Sequence, residues 1–171
     1  MSLLPLVTLP APALRQRAGQ VRLPNPGLAR FVDELLETMR AAGGVGLAAP
    51  QVGRSIRLAV VEVADERLVL VNPEIVGRSG RQLGWEGCLS VPHTVAPVER
   101  AMEVVVRARD LAGHSVRYRR RGLVARAIEH EVDHLEGRLC VDLVEAAALV
   151  DTRLNPSPPP LPGMLLETEM A

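Results

Sequence analysis

The sequence predicts an α+β fold, in which antiparallel sheets pack around a central helix that carries two histidines and a glutamate in the pattern HExxH. Three observations along the chain predict it: an early amphipathic helix, a series of strand-like segments that includes a hairpin, and a second helix after the hairpin. Because the strands follow one another without alternating helices, the order favours antiparallel sheets with helices packed against them.

The composition is that of one folded domain with an aliphatic core. The chain has 171 residues, of which 47% are hydrophobic and 2% aromatic, so Val, Leu, Ile and Ala must fill the interior. The formal net charge of zero argues against a general nucleic-acid binder, and we expect no specific DNA binding. We expect the domain to span residues 1–145. Residues 146–171 lose periodicity and contain NPSPPPLPG, so they are predicted to form a proline-rich, non-helical tail.

The first helix is predicted to start after the turn signal NPG at 25–27 and to end at a glycine pair. Its apolar side chains recur at helical spacing, at Leu28, Phe31, Val32, Leu35, Leu36 and Met39. The next segment, GVGLAAPQVG at 44–53, holds many breakers of helix and strand. We therefore expect a loop without regular structure there.

Strands are predicted from β-branched runs between turn signals. IRLAVVEV at 56–63 and RLVLVNPEIV at 67–76 are separated by a polar turn. In residues 102–120, strand-like segments with alternating side chains lie on either side of DLAG, a pattern that is typical of a hairpin. Cys88 lies in a glycine-flanked stretch that enters an apparent strand.

The second helix is predicted to run from Gly122 to Leu135, with a glycine at 137 where it would stop. At about 100° per residue, one arc faces the core and holds Val124, Ile128, Val132 and Leu135. A neighbouring arc holds Leu123, Ala127, His130 and His134, with Glu131 at the border of the core arc. Glu129 and Asp133 are predicted to point further away.

The two histidines and the glutamate indicate a metal site. Imidazoles at i and i+4 can bind one ion, and a shielded carboxylate beside them can accept a proton from water. The simpler alternative is a surface helix that happens to contain two histidines. A third ligand stays open on these grounds: His134 is the last histidine, and Glu136, Glu145 and the upstream Cys88 remain. Cys140 is interpreted as a small buried side chain.

Three motifs resemble those of the peptide deformylases. They are GVGLAAPQ at 44–51, EGCLS at 86–90 and HEVDH at 130–134, in the family's order and at similar intervals. The resemblance covers roughly residues 8–142. It implies a deformylase-like catalytic domain that removes the N-formyl group from the formylmethionine of new polypeptides and releases formate.

The resemblance also implies which residues carry the reaction. One divalent metal would be bound by Cys88, His130 and His134, with Fe²⁺ expected as the native ion and Ni²⁺, Co²⁺ or Zn²⁺ as alternatives. Glu131 would move the proton, while Gln51, the Leu89 N–H and the metal would stabilise the oxyanion. Catalytic residues are thus predicted at Glu131, Gln51, Leu89 and Gly46, and substrate-binding residues at Gly44, Val45, Gly87, Leu123, Arg126 and Ala127.

Several positions depart from the family's pattern. Glu129 stands where the family usually has Gln, Arg126 where an apolar pocket residue is common, and Val95 where many relatives carry a substrate-holding Arg. We hypothesise that Arg126 replaces that lost charge. The acidic end of the proline-rich tail also differs from the basic helix that docks some relatives on the ribosome. The run RYRRRG at 117–122 is the remaining candidate for a transient ribosome contact.

Two other functions are weighed against deformylation. A peptidase built on the HExxH helix is disfavoured by Cys88 and by the absence of a later histidine. A non-enzymatic module that binds formylated N-termini is disfavoured because Glu131 and Gln51 are both present. Residues 1–19 lack the pattern of a secretion signal and no segment is long enough to span a bilayer, so we expect a bacterial cytoplasmic enzyme acting on nascent chains.

Overall fold

The elements follow the predicted order. The computed structural model describes residues 3–23 and 25–161. The two helices are α1 (Leu28–Ala41) and α2 (Gly122–Leu135). The strands are β1 (Gly46–Ala48), β2 (Leu58–Val63), β3 (Glu66–Ser79), β4 (Gln82–Cys88), β5 (Val91–Arg100), β6 (Glu103–Arg109), β7 (Ser115–Arg121) and β8 (Val150–Asp151). The predicted α+β class and the bounds of α2 are confirmed.

Two antiparallel sheets surround α2. One has five strands in the order β1-β2-β3-β6-β7, and the other has three in the order β4-β5-β8. One face of the larger sheet packs on α2 through side chains such as Val61, Leu70 and Val106. Its other face packs on α1, whose six predicted apolar positions are all buried. Burial of these stripes is the main term that holds the helices on the sheet.

The segment 44–53 corrects one prediction, because it contains regular structure. Its residues Gly46–Ala48 pair antiparallel with β2, Gly46 opposite Val61 and Ala48 opposite Ala59, and Ala49–Val52 form a 3₁₀ turn. The breakers misled the prediction because β2 stabilises this short strand by hydrogen bonds across the sheet, which local propensity does not measure. β1 therefore forms an edge of the five-stranded sheet.

The prediction for Glu129 and Asp133 is also wrong, because both side chains are buried. The side of α2 that turns away from the larger sheet is covered by the β4–β5 hairpin. There Asp133 binds Arg100 at 2.5 Å, and Glu129 accepts the Ala101 N–H at 2.8 Å. Helical periodicity assigns a polar face to water, whereas here the fold covers it. Asp133 pairs with Arg100 of the smaller sheet, and Glu129 pairs with Arg78 of the larger sheet at 2.7 Å.

The chain after α2 returns to the smaller sheet. Gly137, with φ +75°, turns the backbone where an added Cβ would contact the Arg15 carbonyl carbon at 2.8 Å, as the predicted glycine stop requires. β8 then pairs with β5, and residues 155–161 form neither helix nor strand. The rest of the predicted tail, 162–171, lies outside the described residues, so the division at 145 stays a prediction. No helix among the described residues could cross a membrane.

Candidate metal centre and substrate cleft

A cavity of about 480 Å³ opens between β1, the first turns of α2 and the β4–β5 hairpin. A volume of this size is typical of a site that encloses a small ligand. Every predicted site residue except the buried His134 lines it: Gly44, Val45, Gly46, Gln51, Gly87, Cys88, Leu89, Leu123, Arg126, Ala127, His130 and Glu131. The structure therefore brings together segments that lie far apart in the sequence.

Three side chains direct potential metal ligands at one another. Cys88 Sγ lies 3.3 Å from His134 Nε2, which lies 3.3 Å from His130 Nε2. The three ligand atoms fall within 4.8 Å of one another. One thiolate and two neutral imidazoles fit a divalent transition metal, and three protein ligands leave a coordination position for a reactant.

The local fold explains this convergence. α2 places His130 and His134 one turn apart on the same face. Cys88 is the last residue of β4, where the register changes: Gly87 lies opposite Val95, but Cys88 lies opposite Val91. Such a bulge bends the strand and redirects its side chains, which is how the hairpin presents its cysteine to the helix.

A buried carboxylate orients His130. Glu86 Oε2 lies 3.0 Å from His130 Nδ1, and Arg100 donates two hydrogen bonds to the same carboxylate, each of 2.9 Å. Burial alone would raise the pKa of Glu86, but the hydrogen bonds from His130 and Arg100 lower it to about 2. An ionised Glu86 holds the proton on Nδ1 and leaves Nε2 facing the other two ligands.

The pKa values of the three ligand residues respond differently to burial. Burial and the nearby His130 charge lower the pKa of His134 well below its usual value, which suits a neutral ligand. Burial also disfavours charge on His130, but Glu86 and Glu131 raise its pKa to about 9. The Cys140 thiol and burial raise the pKa of Cys88. Metal binding would therefore release protons from His130 and Cys88.

Glu131 is a buried carboxylate at the centre of the cavity wall, only 3% exposed. Burial raises its pKa to about 7, so it gains and loses a proton near neutral pH. Its Oε2 has no hydrogen-bond partner among the described residues. Gly46 leaves the space that the carboxylate occupies, because an added Cβ there would overlap it.

Gln51 lies on the cysteine side of the cavity and is 2% exposed. Its Oε1 accepts the Ala48 N–H at 2.9 Å, which fixes the amide orientation. Its Nε2 consequently points toward Ser90 Oγ, 3.3 Å away, and Cys88 Sγ, 3.8 Å away. This geometry places a neutral N–H donor next to the predicted metal ligands.

Comparisons with known proteins agree on one family. Residues 3–148 match the polypeptide deformylases. A peptide deformylase of Dictyoglomus thermophilum is 47% identical over 131 residues, which span 77% of this chain and 86% of that protein. One from Thermomicrobium roseum is 44% identical over 154 residues, 85% of this chain and 88% of that protein. This chain belongs to the polypeptide deformylase family.

Solved structures agree with this assignment. The peptide deformylase of Legionella pneumophila superposes with a TM-score of 0.82 at 39% identity, covering 86% of this chain and 89% of that one. A peptide deformylase from Synechococcus elongatus in complex with actinonin superposes with a TM-score of 0.80 at 42% identity. The match covers 83% of this chain and 79% of that one. The protein is thus a metal-dependent hydrolase that removes the N-formyl group from N-terminal formylmethionine.

Arg126 lies at the deformylase cleft, but its guanidinium turns away from the open space. Its NH1 donates to Glu86 Oε1 at 2.8 Å and to the Val98 carbonyl at 3.1 Å. Its NH2 donates to the Gln82 carbonyl at 3.1 Å. The hypothesis that Arg126 replaces a substrate-holding charge does not fit this arrangement, because the charge is paired inside the protein.

Sequence reasoning missed other residues that line the deformylase cavity. They are Gly43, Trp85, Pro92, His93, Thr94 and Thr152. Trp85 is the single tryptophan of the chain and directly precedes EGCLS, which was a usable signal. Thr152 carried no signal, because it reaches the cavity only through the pairing of β8 with β5.

Proposed function

We propose that Cys88, His130 and His134 bind the one divalent metal of this deformylase and that Glu131 is its proton carrier. The observation that carries the assignment is the convergence of the three ligand atoms within 4.8 Å beside a buried carboxylate with a pKa of about 7. When bound, the cation polarises the formyl oxygen and makes water a better nucleophile. Glu131 accepts the proton of the attacking water and delivers it to the leaving amine.

The oxyanion that forms at the formyl carbon needs hydrogen-bond donors. We assign this role to Gln51 Nε2 and the backbone N–H of Leu89, which follows the ligand Cys88. The Ala48 N–H holds Gln51 in orientation, so the donor needs no rearrangement during the reaction. Loss of one such donor typically costs about 3–4 kcal/mol of transition-state stabilisation.

The cavity offers both an apolar slot and an unpaired strand edge. Val45 and Leu123 are 44% and 53% exposed and line the cavity with Ala127, which suits a methionine side chain. Since β1 is an edge strand, an extended peptide can add to it by main-chain hydrogen bonds. Gly44 and Gly87 also line the cavity, and we assign them to substrate binding.

We further propose Fe²⁺ as the native ion and nascent chains in the bacterial cytoplasm as the substrate. Nitrogen and sulfur ligands are compatible with Fe²⁺, Ni²⁺, Co²⁺ and Zn²⁺ alike, so the choice of Fe²⁺ follows the family. Arg117, Arg119 and Arg121 are exposed on β7 and form the candidate surface for a transient ribosome contact through RNA phosphates.

The direct test is formate release from a formyl-Met tripeptide by protein prepared without oxygen and loaded with Fe²⁺ or Ni²⁺. Glu131→Ala and Cys88→Ser run beside the parent. We expect Glu131→Ala to keep its metal and lose at least about 10²-fold in kcat, whereas Cys88→Ser loses metal as well. A Glu131→Ala variant with full activity would reject Glu131 as the proton carrier.

A further inference from the structure

The chain beyond Leu149 returns to the cleft. Thr94 lies opposite Asp151 and Val95 opposite Val150, and the Thr152 N–H donates to the His93 carbonyl at 2.9 Å. The match to the family ends at residue 148. Residues 150–161, here called the C-terminal arm, lie beyond that match, yet they pair with β5, whose first residues line the cavity.

Two contacts connect the C-terminal arm with the cavity wall. Thr152 lines the cavity itself. Further along the arm, the Pro159 carbonyl accepts a 2.9 Å hydrogen bond from Trp85 Nε1, and Trp85 also lines the cavity. The arm thus adds the polar residue Thr152 to the cleft and binds the indole of Trp85 by a hydrogen bond.

The arm has internal hydrogen bonds that order its turn. The Asp151 carboxylate accepts the Arg153 backbone N–H at 2.9 Å and the Arg153 guanidinium at 2.6 Å. The Asn155 N–H donates to the Asp151 carbonyl at 2.9 Å. Together with the β5 pairing, these bonds define the position of Thr152, so a structured segment holds this residue at the cavity.

We propose that the C-terminal arm is part of the peptide-binding cleft and that Thr152 contacts the substrate residues that follow formylmethionine. The proposal rests on the deformylase function assigned above. The reacting group lies at Cys88, His130 and Glu131, while Thr152 belongs to the wall built by the start of β5. A hydroxyl that both donates and accepts hydrogen bonds suits the amide groups of a peptide main chain.

The test compares a short and a long substrate. Formate release is measured as kcat/KM on formylmethionine amide and on formyl-Met-Ala-Ser, using Ni²⁺-loaded protein. We expect deletion of residues 150–171, and Thr152→Val in the full chain, to lower kcat/KM on the tripeptide by about three- to tenfold. The short substrate should change by less than about twofold, since it makes no contact with a lost hydroxyl.

Two matched controls separate the arm from general effects. Deletion of residues 162–171 alone leaves the arm intact, and Thr8→Val removes the same hydroxyl from an exposed site outside the cavity. Both should behave like the parent. Equal losses on the two substrates, or no loss on either, would overturn the proposal. If the longer deletion does not fold, Thr152→Val decides.

Fluorescence keeps this test independent of the reaction. Trp85 is the single tryptophan, so its emission reports binding at the cleft. The product peptide Met-Ala-Ser should change the emission of the parent and bind Thr152→Val about threefold or more weakly; equal affinity would contradict the proposal. A parent that binds the product peptide in this way but releases no formate would reject the proposed function and not the arm.

Discussion

Two buried atoms without hydrogen-bond partners mark the reacting centre. Among the described residues, Glu131 Oε2 and His134 Nδ1 are buried side-chain atoms with no hydrogen bond. Buried polar groups are almost always paired, so each of these atoms is open to a partner from outside the protein chain, such as water. Glu131 remains unsatisfied beside the glycine of β1, which allows the carboxylate to face the cavity rather than pack into the core.

Gly46→Ala tests that arrangement at a single residue. The added methyl would displace the Glu131 carboxylate, so we expect kcat to fall by about 10²-fold or more. The three proposed metal ligands are untouched, so metal content should stay at one ion per chain. Steady-state kinetics and metal analysis measure both quantities.

Gly19→Ala is the matched control for this substitution. The new Cβ would lie 3.7 Å from the Ser55 carbonyl oxygen, which is an ordinary van der Waals contact. Neither residue lines the cavity. Its kcat should equal that of the parent. If Gly46→Ala also retains full kcat, the position of Glu131 is less constrained than the structure indicates.

At the scale of elements, α2 is joined to the β4–β5 hairpin by buried ion pairs. Arg126 and Arg100 both bind Glu86, and Arg100 also binds Asp133. The helix carries two of the proposed metal ligands and the hairpin carries the third. The charges between them therefore determine how well the three ligands hold their geometry.

Arg126→Met tests this link. Methionine keeps much of the side-chain volume of Arg126. The substitution removes one of the two guanidinium groups that bind Glu86, the carboxylate that orients His130. We expect Co²⁺ to dissociate into excess chelator about tenfold faster, with KM for a formyl-Met tripeptide changed by less than about twofold.

Two further variants support the interpretation of Arg126. Arg126→Lys keeps the charge and should recover part of the metal retention, while Arg81→Met removes an 80% exposed side chain and should change nothing. The opposite pattern, a raised KM with unchanged metal release, would restore the hypothesis that Arg126 holds the substrate.

At the scale of the whole molecule, buried charges join the smaller sheet to α2, which packs on the larger sheet. Glu86 and Arg100 lie on the smaller sheet, and Arg126 and Asp133 lie on the helix. Such pairs are costly to bury and more costly to break singly, because the remaining partner is left uncompensated. Glu86 accepts hydrogen bonds from both arginines and from His130. Its ionisation is therefore coupled to the stability of the complete fold.

This coupling predicts an acid-dependent loss of stability. The pKa of Glu86 is about 2 in the folded protein against an ordinary value of 4.5. Its stabilisation is complete above 4.5 and disappears as pH falls from 4.5 toward 2. Urea unfolding of metal-free protein at pH 6, 4 and 3 should show a steeper loss for the parent than for Glu86→Gln.

The exposed Glu99→Gln serves as the control and should follow the parent at each pH. If the free energy of unfolding fell equally with pH in the parent and in Glu86→Gln, protonation of Glu86 would have no effect on stability. The prediction would then be wrong. Comparing variants at matched pH removes the contribution of the other carboxylates.

Several features of this protein were predictable from local sequence. The bounds of α2, the glycine stop and the i, i+4 pair of His130 and His134 follow from helical periodicity, which acts over a few residues. Residue reasoning left the third ligand open among Cys88, Glu136 and Glu145, and the family motifs then selected Cys88. Those motifs also contain half of the residues that line the cavity.

Other features depended on residues distant in sequence. The strand at Gly46–Ala48 forms only because β2 is its partner. Glu129 and Asp133 are buried because distant segments cover and pair them, with Arg78 binding Glu129 and Arg100 binding Asp133. Arg126 contacts Glu86, 40 residues away, and Trp85 contacts Pro159, 74 residues away. Side-chain periodicity contains no information about such pairings.

The sequence by itself determined the chemistry of this protein: two imidazoles, a carboxylate and a cysteine in family motifs, and a helix to carry three of them. Only the tertiary structure decided which charges surround that chemistry and which segment borders the cleft. The physical reason is the separation along the chain of the residues that interact. Helix formation is a local equilibrium, whereas sheet register, burial of α2 between two sheets and return of the C-terminal arm depend on contacts that form only in the folded chain.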